Sequence, residues 1–292
     1  MKTPQIALAL LIILCASLQV SGDEWESLFD GKTLKGWEGD EKLWSVQDGA
    51  ITGITKDDQP LPYNKFLIAT GLGVVGDFHF KTSFRLEGNN NSGVQYRSAQ
   101  LKDAGEFVVG GYQADIHANP PYTAMLYDER GRGILAQRGQ KVVVAKDGKV
   151  TVVEQQKDVA AVELSKWHTL EVIAIGAKII HKLDGEVAIE ISDYDEKDRE
   201  LEGIIALQVH RGPAMKVQFK DMVIKVLDKN DETNGDVGAV PNWIWPEDAP
   251  AETTVVFSKE FNVPGNRVGG VRLSGTADNS YEFSVNGKKV LS

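Results

Sequence analysis

The sequence predicts an all-β protein built as a two-sheet antiparallel sandwich. Apolar and polar residues alternate from Phe78 to Leu86, and a period of two is typical of strands with one buried face. Asp-Gly pairs at Asp147 and Asp184 lie between β-rich runs and indicate hairpins, because both residue types tolerate positive φ. The 29 glycines fit a loop-rich sheet fold, and no amphipathic helical pattern follows residue 22. Many short strands joined by such turns favour a sandwich.

The first 22 residues are predicted to be a secretory signal peptide. Lys2 precedes an apolar run from Ile6 to Leu14, which is too short to span a membrane. Small residues then offer a cleavage site before residue 23. Cys15 leaves a lipoprotein alternative open, although Leu14 is bulkier than the residue that a lipid-attachment site requires. We therefore expect an exported protein, periplasmic or extracellular, without a membrane span.

The mature chain lacks cysteine and is acidic. Its only cysteine, Cys15, lies within the predicted signal peptide, so disulfides, thiolate nucleophiles and cysteine metal ligands are excluded. The formal net charge of −10 argues against nucleic acids and anionic membranes as partners. The sequence contains no Gly-x-Ser-x-Gly or His-Glu-x-x-His motif and no Gly-rich phosphate loop. Nucleotide-dependent and serine-hydrolase chemistry are therefore not expected.

The region after residue 227 divides into a linker and a second β-rich segment. Residues 228–240 are polar, and we predict a mobile linker there. In residues 241–292, strands are predicted at 255–261 and 281–285, with a hairpin turn at Asn286-Gly287. Roughly fifty residues are too few to close an ordinary sandwich. Either the segment docks on the first domain or, as we favour, the chain is a fragment of a longer protein and this domain is incomplete.

Three predicted strands carry rows of polar side chains suited to a sugar. The rows are Gln113, Asp115 and His117 on one strand, Gln208 and His210 on a second, and Gln95 and Arg97 on a third. A polar row is also what any solvated sheet surface shows. However, Gln, Asp, His and Arg replace the Lys, Glu and Thr that are usual there, and two-ended hydrogen bonding is what sugar hydroxyls require. The charged stretch 127–133 is either a rim of this site or an ordinary loop.

His117, His210 and Asp115 are the candidate catalytic residues. An imidazole titrates near neutral pH, so either histidine could act as a general base. The same three side chains could instead bind a divalent metal, as one carboxylate with two imidazoles. Spacing alone does not decide this, and no other cofactor is indicated. The remaining histidines, expected to be structural or solvated, are His79, His168 and His181.

Several motifs occur in a familiar order across residues 25–227. They are Trp25-x-x-Leu28-Phe29-Asp30-Gly31, Asn91-Ser92-Gly93-Val94-x-Tyr96-Arg97, Gly111-Tyr112-Gln113-x-Asp115, Trp167-His168-x-Leu170, Leu183-Asp184-Gly185 and Ile205-x-Leu207-Gln208-x-His210. Together they resemble a bacterial family long called domain of unknown function 1080, now described as 3-keto-disaccharide hydrolases or as 3-keto-glucoside 1,2-lyase and 3-keto-2-hydroxy-glucal hydratase domains. The sequence departs from the family pattern at Gly111, where a Glu often stands, and in a long insert between residues 137 and 163.

The resemblance implies a concanavalin A-like jelly roll over residues 23–227 and a glycoside or oligosaccharide in its 3-keto form as the partner. A ketone at C3 acidifies the C2 proton, a base removes that proton, and the C1 substituent leaves with help from an acid. Water can then add to the enone. By motif position, the base is His117 or His210, the enolate is stabilised by Arg97 or a metal, and Asp115 orients a histidine or binds metal. The implied substrate-binding residues are Arg97, Gln95, Gln113 and Gln208. The tail from residue 241 resembles the opening of a galactose-binding-like sandwich.

The alternative function is a non-catalytic carbohydrate-binding module of the same fold. Such modules rely on exposed aromatic side chains that stack on sugar rings. The candidate face is instead rich in ionisable groups, which favours an enzyme. The enzyme interpretation makes a geometric prediction, namely that the polar rows converge on one face although they lie about a hundred residues apart in the chain.

Overall fold

The computed structural model describes residues 25–227 and the backbone of two short strands near the C-terminus. The chain divides into two units, Met1–Glu232 and Thr233–Ser292. In its described part, the first unit consists of two β-sheets and two short 3-10 helices, Lys102–Ala104 and Pro120–Tyr122, and contains no α-helix. The predicted all-β, two-sheet jelly-roll class is confirmed.

Sixteen strands build the described part of the first unit. They are β1 (Glu26–Ser27), β2 (Trp44–Gln47), β3 (Ala50–Thr55), β4 (Lys65–Ile68), β5 (Phe78–Gly88), β6 (Asn91–Gln100), β7 (Val109–His117), β8 (Leu126–Glu129), β9 (Gly133–Ala136), β10 (Gln140–Val144), β11 (Val150–Gln155), β12 (His168–Ile175), β13 (Lys178–Leu183), β14 (Glu186–Asp193), β15 (Ile204–Val209) and β16 (Met215–Val226).

The two sheets differ in size. The larger sheet has ten strands, nine of them in the order β11-β10-β14-β13-β12-β5-β16-β3-β2, with β1 paired to β16. The smaller sheet has six strands in the order β4-β15-β6-β7-β8-β9. Pairing is antiparallel except between β10 and β14, which run parallel among the described strands. This exception lies in the insert after residue 137, where the β10–β11 hairpin extends the edge of the larger sheet.

The core lies between the sheets and follows the alternation seen in the sequence. On β5, every second residue from Phe78 to Phe84 is fully buried, Thr82 included, whereas the residue between each pair is only half-buried. On the smaller sheet, Tyr112 and Leu207 face the same core. Burying each such large side chain stabilises the fold by about 1.5–3 kcal/mol. On the strands of the smaller sheet, the residues that alternate with these core residues point to the opposite face of the sheet.

Both predicted Asp-Gly hairpins are confirmed. Asp184 has a φ of 51° and Gly185 a φ of 87°, and this pair of positive values joins β13 to the antiparallel strand β14 as a tight two-residue turn requires. The β10–β11 hairpin is antiparallel as well, and Gly148 takes the left-handed position in its longer loop with a φ of 81°.

Several sequence predictions concern residues outside those that the structure describes. The signal peptide of residues 1–22, the linker of residues 228–240 and the strand at residues 255–261 are among them. Part of the strand predicted at residues 281–285 is described, as β17 (Phe283–Val285). It pairs antiparallel with β18 (Lys288–Leu291). In the described part of the chain, no helix is long and apolar enough to cross a membrane. The domain boundaries stay predictions.

Candidate functional site

A groove of about 510 Å³ lies on the face of the smaller sheet that points away from the core. The residues of two predicted rows all line it, namely Gln113, Asp115, His117, Gln208 and His210. Strand pairing explains why. Strand β6 lies between β7 and β15, with β7 and β15 paired to its two edges, so rows about a hundred residues apart in the chain become neighbours across one strand.

A chain of amides fixes the floor of the groove. Ser98 Oγ donates to Gln95 Oε1 at 2.7 Å, and Gln95 Nε2 donates to Gln113 Oε1 at 3.0 Å. Gln113 Nε2 then donates to Asp115 Oδ1 at 2.6 Å and to Gln208 Oε1 at 3.4 Å. Gln95 therefore lies beneath the groove and supports Gln113, and it does not line the groove itself. Because both amide hydrogens of Gln113 are engaged, Gln113 places Asp115 and Gln208 and is not a free donor to a ligand.

Gln208 carries a donor that no described residue satisfies. Its side chain is fully buried, and its Nε2 has no hydrogen-bond partner. Leaving such a group unpaired costs about 1–3 kcal/mol. Since Gln208 lines the groove, an oxygen of a bound ligand is a suitable acceptor.

The two groove histidines have opposite hydrogen-bonding roles. His117 Nδ1 accepts from the backbone N–H of Asn119 at 2.9 Å, so neutral His117 carries its proton on Nε2 and donates from there. His210 Nδ1 is hydrogen-bonded to the carbonyl oxygen of Arg211. A carbonyl only accepts, so Nδ1 of His210 holds the proton and Nε2 has the free lone pair. Burial lowers the pKa of both imidazoles, which keeps this donor and this acceptor neutral near pH 7.

Two carboxyl groups in the groove have raised pKa values. Burial raises the pKa of Asp115 to about 7, with the nearby charge of Glu129 acting in the same direction and the Gln113 hydrogen bond opposing it. Burial also raises the pKa of Glu129, against the hydrogen bond that Asn64 Nδ2 donates to its Oε1 at 3.4 Å. A carboxylic acid that keeps its proton near neutral pH can act as a general acid.

The structure adds groove residues that sequence reasoning left open or missed. Tyr127 and Glu129 alternate on one face of β8, and Arg130 follows them, so the charged stretch 127–133 contributes part of the rim. The alternation of that stretch was the available signal. Loops and the second 3-10 helix supply four more, for which no pattern in the sequence gave a signal: Tyr63, Asn64, Tyr122 and Arg211.

Arg97 does not line the groove, contrary to the sequence prediction. A β-bulge interrupts the pairing of β6 and β7 after Tyr96, and Arg97 adopts a φ of 46°, which takes its side chain out of the row. Its guanidinium is buried and donates to the carbonyl oxygens of Gly76 at 2.9 Å and Gly176 at 2.7 Å. It also forms an ion pair with Asp77 at 2.8 Å. Arg97 is therefore a structural residue, and it is not available to an enolate.

Replacing Arg97 with Met is expected to destabilise the fold by about 3–5 kcal/mol, because removal of one partner leaves the other buried groups unpaired. A large drop in the urea midpoint of unfolding would show this. The matched control is Arg199→Met, since Arg199 forms no hydrogen bond or ion pair within residues 25–227 and should change stability little. An unchanged midpoint for Arg97→Met would contradict the structural role.

The structure does not group the three predicted metal ligands around one point. Within residues 25–227, no three His, Cys, Asp or Glu side chains are grouped closely enough to hold a metal ion. Asp115 Oδ1 is occupied by the Gln113 amide, and the Nδ1 atoms of His117 and His210 are used by the backbone. The three groups line one groove, but they do not converge as ligands of a single ion.

The groove of this two-sheet jelly roll is lined by amides, imidazoles, carboxyls and tyrosines, groups that suit a carbohydrate ligand. The chain belongs to the family of 3-keto-alpha-glucoside-1,2-lyase-like domains, whose match extends over residues 24–225. The resemblance found in the sequence motifs is thereby confirmed. No curated protein matches the chain.

Several solved structures are similar to this chain in fold. Two Parabacteroides distasonis proteins described as glycosyl hydrolases are 17% and 20% identical, with TM-scores of 0.48 and 0.47. Each covers 70% of this chain, and the matches extend over 100% and 94% of those chains. The carbohydrate-binding module CBM66 from Bacillus subtilis is 18% identical, with a TM-score of 0.43, and the match covers 65% of this chain and 95% of that one.

Proposed function

We propose that this protein cleaves 3-keto-glycosides by removing the proton at C2 and eliminating the substituent at C1, with hydration of the enone as a following step. Membership of the 3-keto-alpha-glucoside-1,2-lyase-like family supports the substrate class. The groove supports the reaction type, because it offers an acceptor, neutral donors and a protonated carboxyl group. The signal peptide expected in residues 1–22 would place this activity in the periplasm or outside the cell.

The observation that carries the proposal is the tautomer of His210. Because Nδ1 donates to the Arg211 carbonyl, Nε2 is the nitrogen left to take a proton from a ligand. Burial lowers the pKa of this imidazole, so it is unprotonated at neutral pH and ready to act as a base. His117 has the opposite tautomer and serves as a donor. Of the two histidines that the sequence left open, we therefore propose His210 as the base.

The proposed elimination uses four groove residues, one as base, two as donors and one as acid. His210 Nε2 takes the C2 proton, and the electrons of that bond form an enolate with its charge on the C3 oxygen. The donors Gln208 Nε2 and His117 Nε2 are suited to stabilise that oxygen. Collapse of the enolate forms the C1–C2 double bond and breaks the C1–O bond, and the leaving oxygen takes the proton of Asp115. Transfer of the proton from His210 to Asp115 through water restores both groups.

Incubation with a chromogenic 3-keto-glucoside tests the proposal. We expect release of the aglycone together with transient absorbance of a conjugated enone, and no release from the parent glucoside, because only the ketone acidifies C2. Equal release from both glycosides would identify an ordinary glycosidase and overturn the elimination mechanism. Binding of the 3-keto-glucoside without any release would support the binding module instead.

The second candidate function is carbohydrate binding without turnover. Three tyrosines, Tyr63, Tyr122 and Tyr127, line the groove and are suited to stack on sugar rings. Tyr122 packs edge-on against the His117 ring at 5.3 Å between centroids, so one of the three also supports a groove histidine. The titratable groups with displaced pKa values have no role in simple stacking, which is why we rank binding alone second.

A further inference from the structure

The rim of the groove carries two guanidinium groups without protein partners. Arg130 and Arg211 both line the groove and are exposed. Neither side chain forms a hydrogen bond or ion pair with another residue in the described range 25–227. By contrast, Arg97 pairs with Asp77, and Arg132 is held by several carboxylates. The guanidinium groups of Arg130 and Arg211 are therefore available to a ligand in the groove.

Asn64 links the two chain segments that carry these arginines. Its Oδ1 accepts the backbone N–H of Arg211 at 3.0 Å, and its Nδ2 donates to Glu129 Oε1 at 3.4 Å. Arg211 and Arg130 therefore flank a single asparagine, since Arg130 follows Glu129 directly. Arg130 has a φ of 60°, a left-handed conformation that is uncommon for a residue with a long side chain. Such an outlier at a rim is consistent with a demand on where the side chain is placed.

The carboxyl groups that line the groove are ones whose negative charge burial disfavours. Burial raises the pKa of half-buried Glu129, against the charge of Arg130, and the pKa of fully buried Asp115, while the two histidines are neutral near pH 7. The whole chain carries a net charge of −10, so free cations in the groove do not reflect a generally basic surface. Gln208, which also lines the groove, adds a further donor without a protein partner, its buried Nε2.

We propose that this end of the groove binds an oxyanion substituent, a carboxylate or a sulfate, on the sugar that the protein acts on. Planar guanidinium groups match both anions with paired hydrogen bonds. The inference rests on the proposed function in that it names the substrate class of the same groove. It does not depend on turnover, because an unoxidised sugar with the same substituent tests it.

The experiment measures binding of three probes by calorimetry at low salt: methyl α-glucoside, methyl α-glucuronide and methyl α-glucoside 6-sulfate. For the unaltered protein we expect Kd values for the anionic probes about tenfold below that of the neutral probe, a ratio that paired charges at a half-open rim can supply. In the double variant Arg130→Gln, Arg211→Gln the ratio should fall to about one, while the Kd of the neutral probe is unchanged. The two anionic arms distinguish a carboxylate from a sulfate.

Arg199→Gln is the matched control, because Arg199 lies outside the groove. Its replacement removes one positive charge, as does each of the two groove substitutions. In this control, the ratio of the Kd of the neutral probe to that of an anionic probe should match the ratio in the unaltered protein. Added salt should reduce this ratio in both proteins. Equal binding of all probes, no binding of any probe, or an anion preference that survives in the double variant would overturn the inference. A protein that prefers the anionic probes but fails to cleave 3-keto-glucosides would refute the proposed reaction and leave this inference standing.

Discussion

Asp115→Asn is expected to make the protein more stable at pH 8 while strongly lowering its activity. Burial raises the pKa of Asp115 from 3.8 to about 7, so above pH 7 the folded state holds an ionised carboxylate that would be better solvated in the unfolded chain. A shift of about three pKa units corresponds to roughly 4 kcal/mol. The amide of Asn carries no charge, and its oxygen can still accept the hydrogen bond from Gln113. Urea unfolding at pH 8 should therefore show a gain of about 2–4 kcal/mol.

The sign of this effect depends on pH. The folded pKa lies above the unfolded one, so the contribution of Asp115 to stability is greatest below about pH 4 and is lost as the pH rises toward 7. The gain of Asp115→Asn over the unaltered protein should accordingly shrink between pH 8 and pH 4. Asp103→Asn is the control, because Asp103 is exposed and its side chain has no hydrogen bond or ion pair within residues 25–227. A gain of equal size at both pH values would show that the buried charge is not its cause.

His210→Asn is expected to lower kcat for a 3-keto-glycoside by about 10²- to 10⁴-fold, the usual contribution of a general base. Asn keeps a donor for the Arg211 carbonyl but has no nitrogen lone pair, so the local structure is retained and the base is lost. His79→Asn is the matched control, because His79 pairs with Glu171 at 2.9 Å and does not line the groove. Full activity in His210→Asn would assign the base to another group.

The pH profile of kcat/KM separates the acid from the base. Activity should rise as His210 loses its proton below pH 6.5, since burial lowers the pKa of that imidazole, and fall above pH 7 as Asp115 ionises. Residual activity in His210→Asn should lose the acidic limb, and that in Asp115→Asn the alkaline limb. If His117→Asn removed the acidic limb instead, the roles of the two histidines would be reversed.

Local features of the structure followed from the sequence alone. The pleat of a strand puts every second side chain on one face, so the sequence was sufficient to group Gln113 with Asp115 and Gln208 with His210. Asp184-Gly185 predicted its own turn because positive φ is a property of those residue types. The family motifs then predicted the jelly roll, and the fold is confirmed.

Other features were decided only by tertiary structure. The sequence did not specify that β6 would lie between β7 and β15, and this pairing is what brings the two rows together. The bulge that takes Arg97 out of its row depends on the register of β6 against β7, and a period-two pattern cannot anticipate an added residue. The ring nitrogen that is free on His210 and the raised pKa of Asp115 depend on which carbonyl lies nearby and how completely water is excluded. Pairing, register and burial are set by residues distant in the chain, whereas alternation and turn preference are properties of adjacent ones.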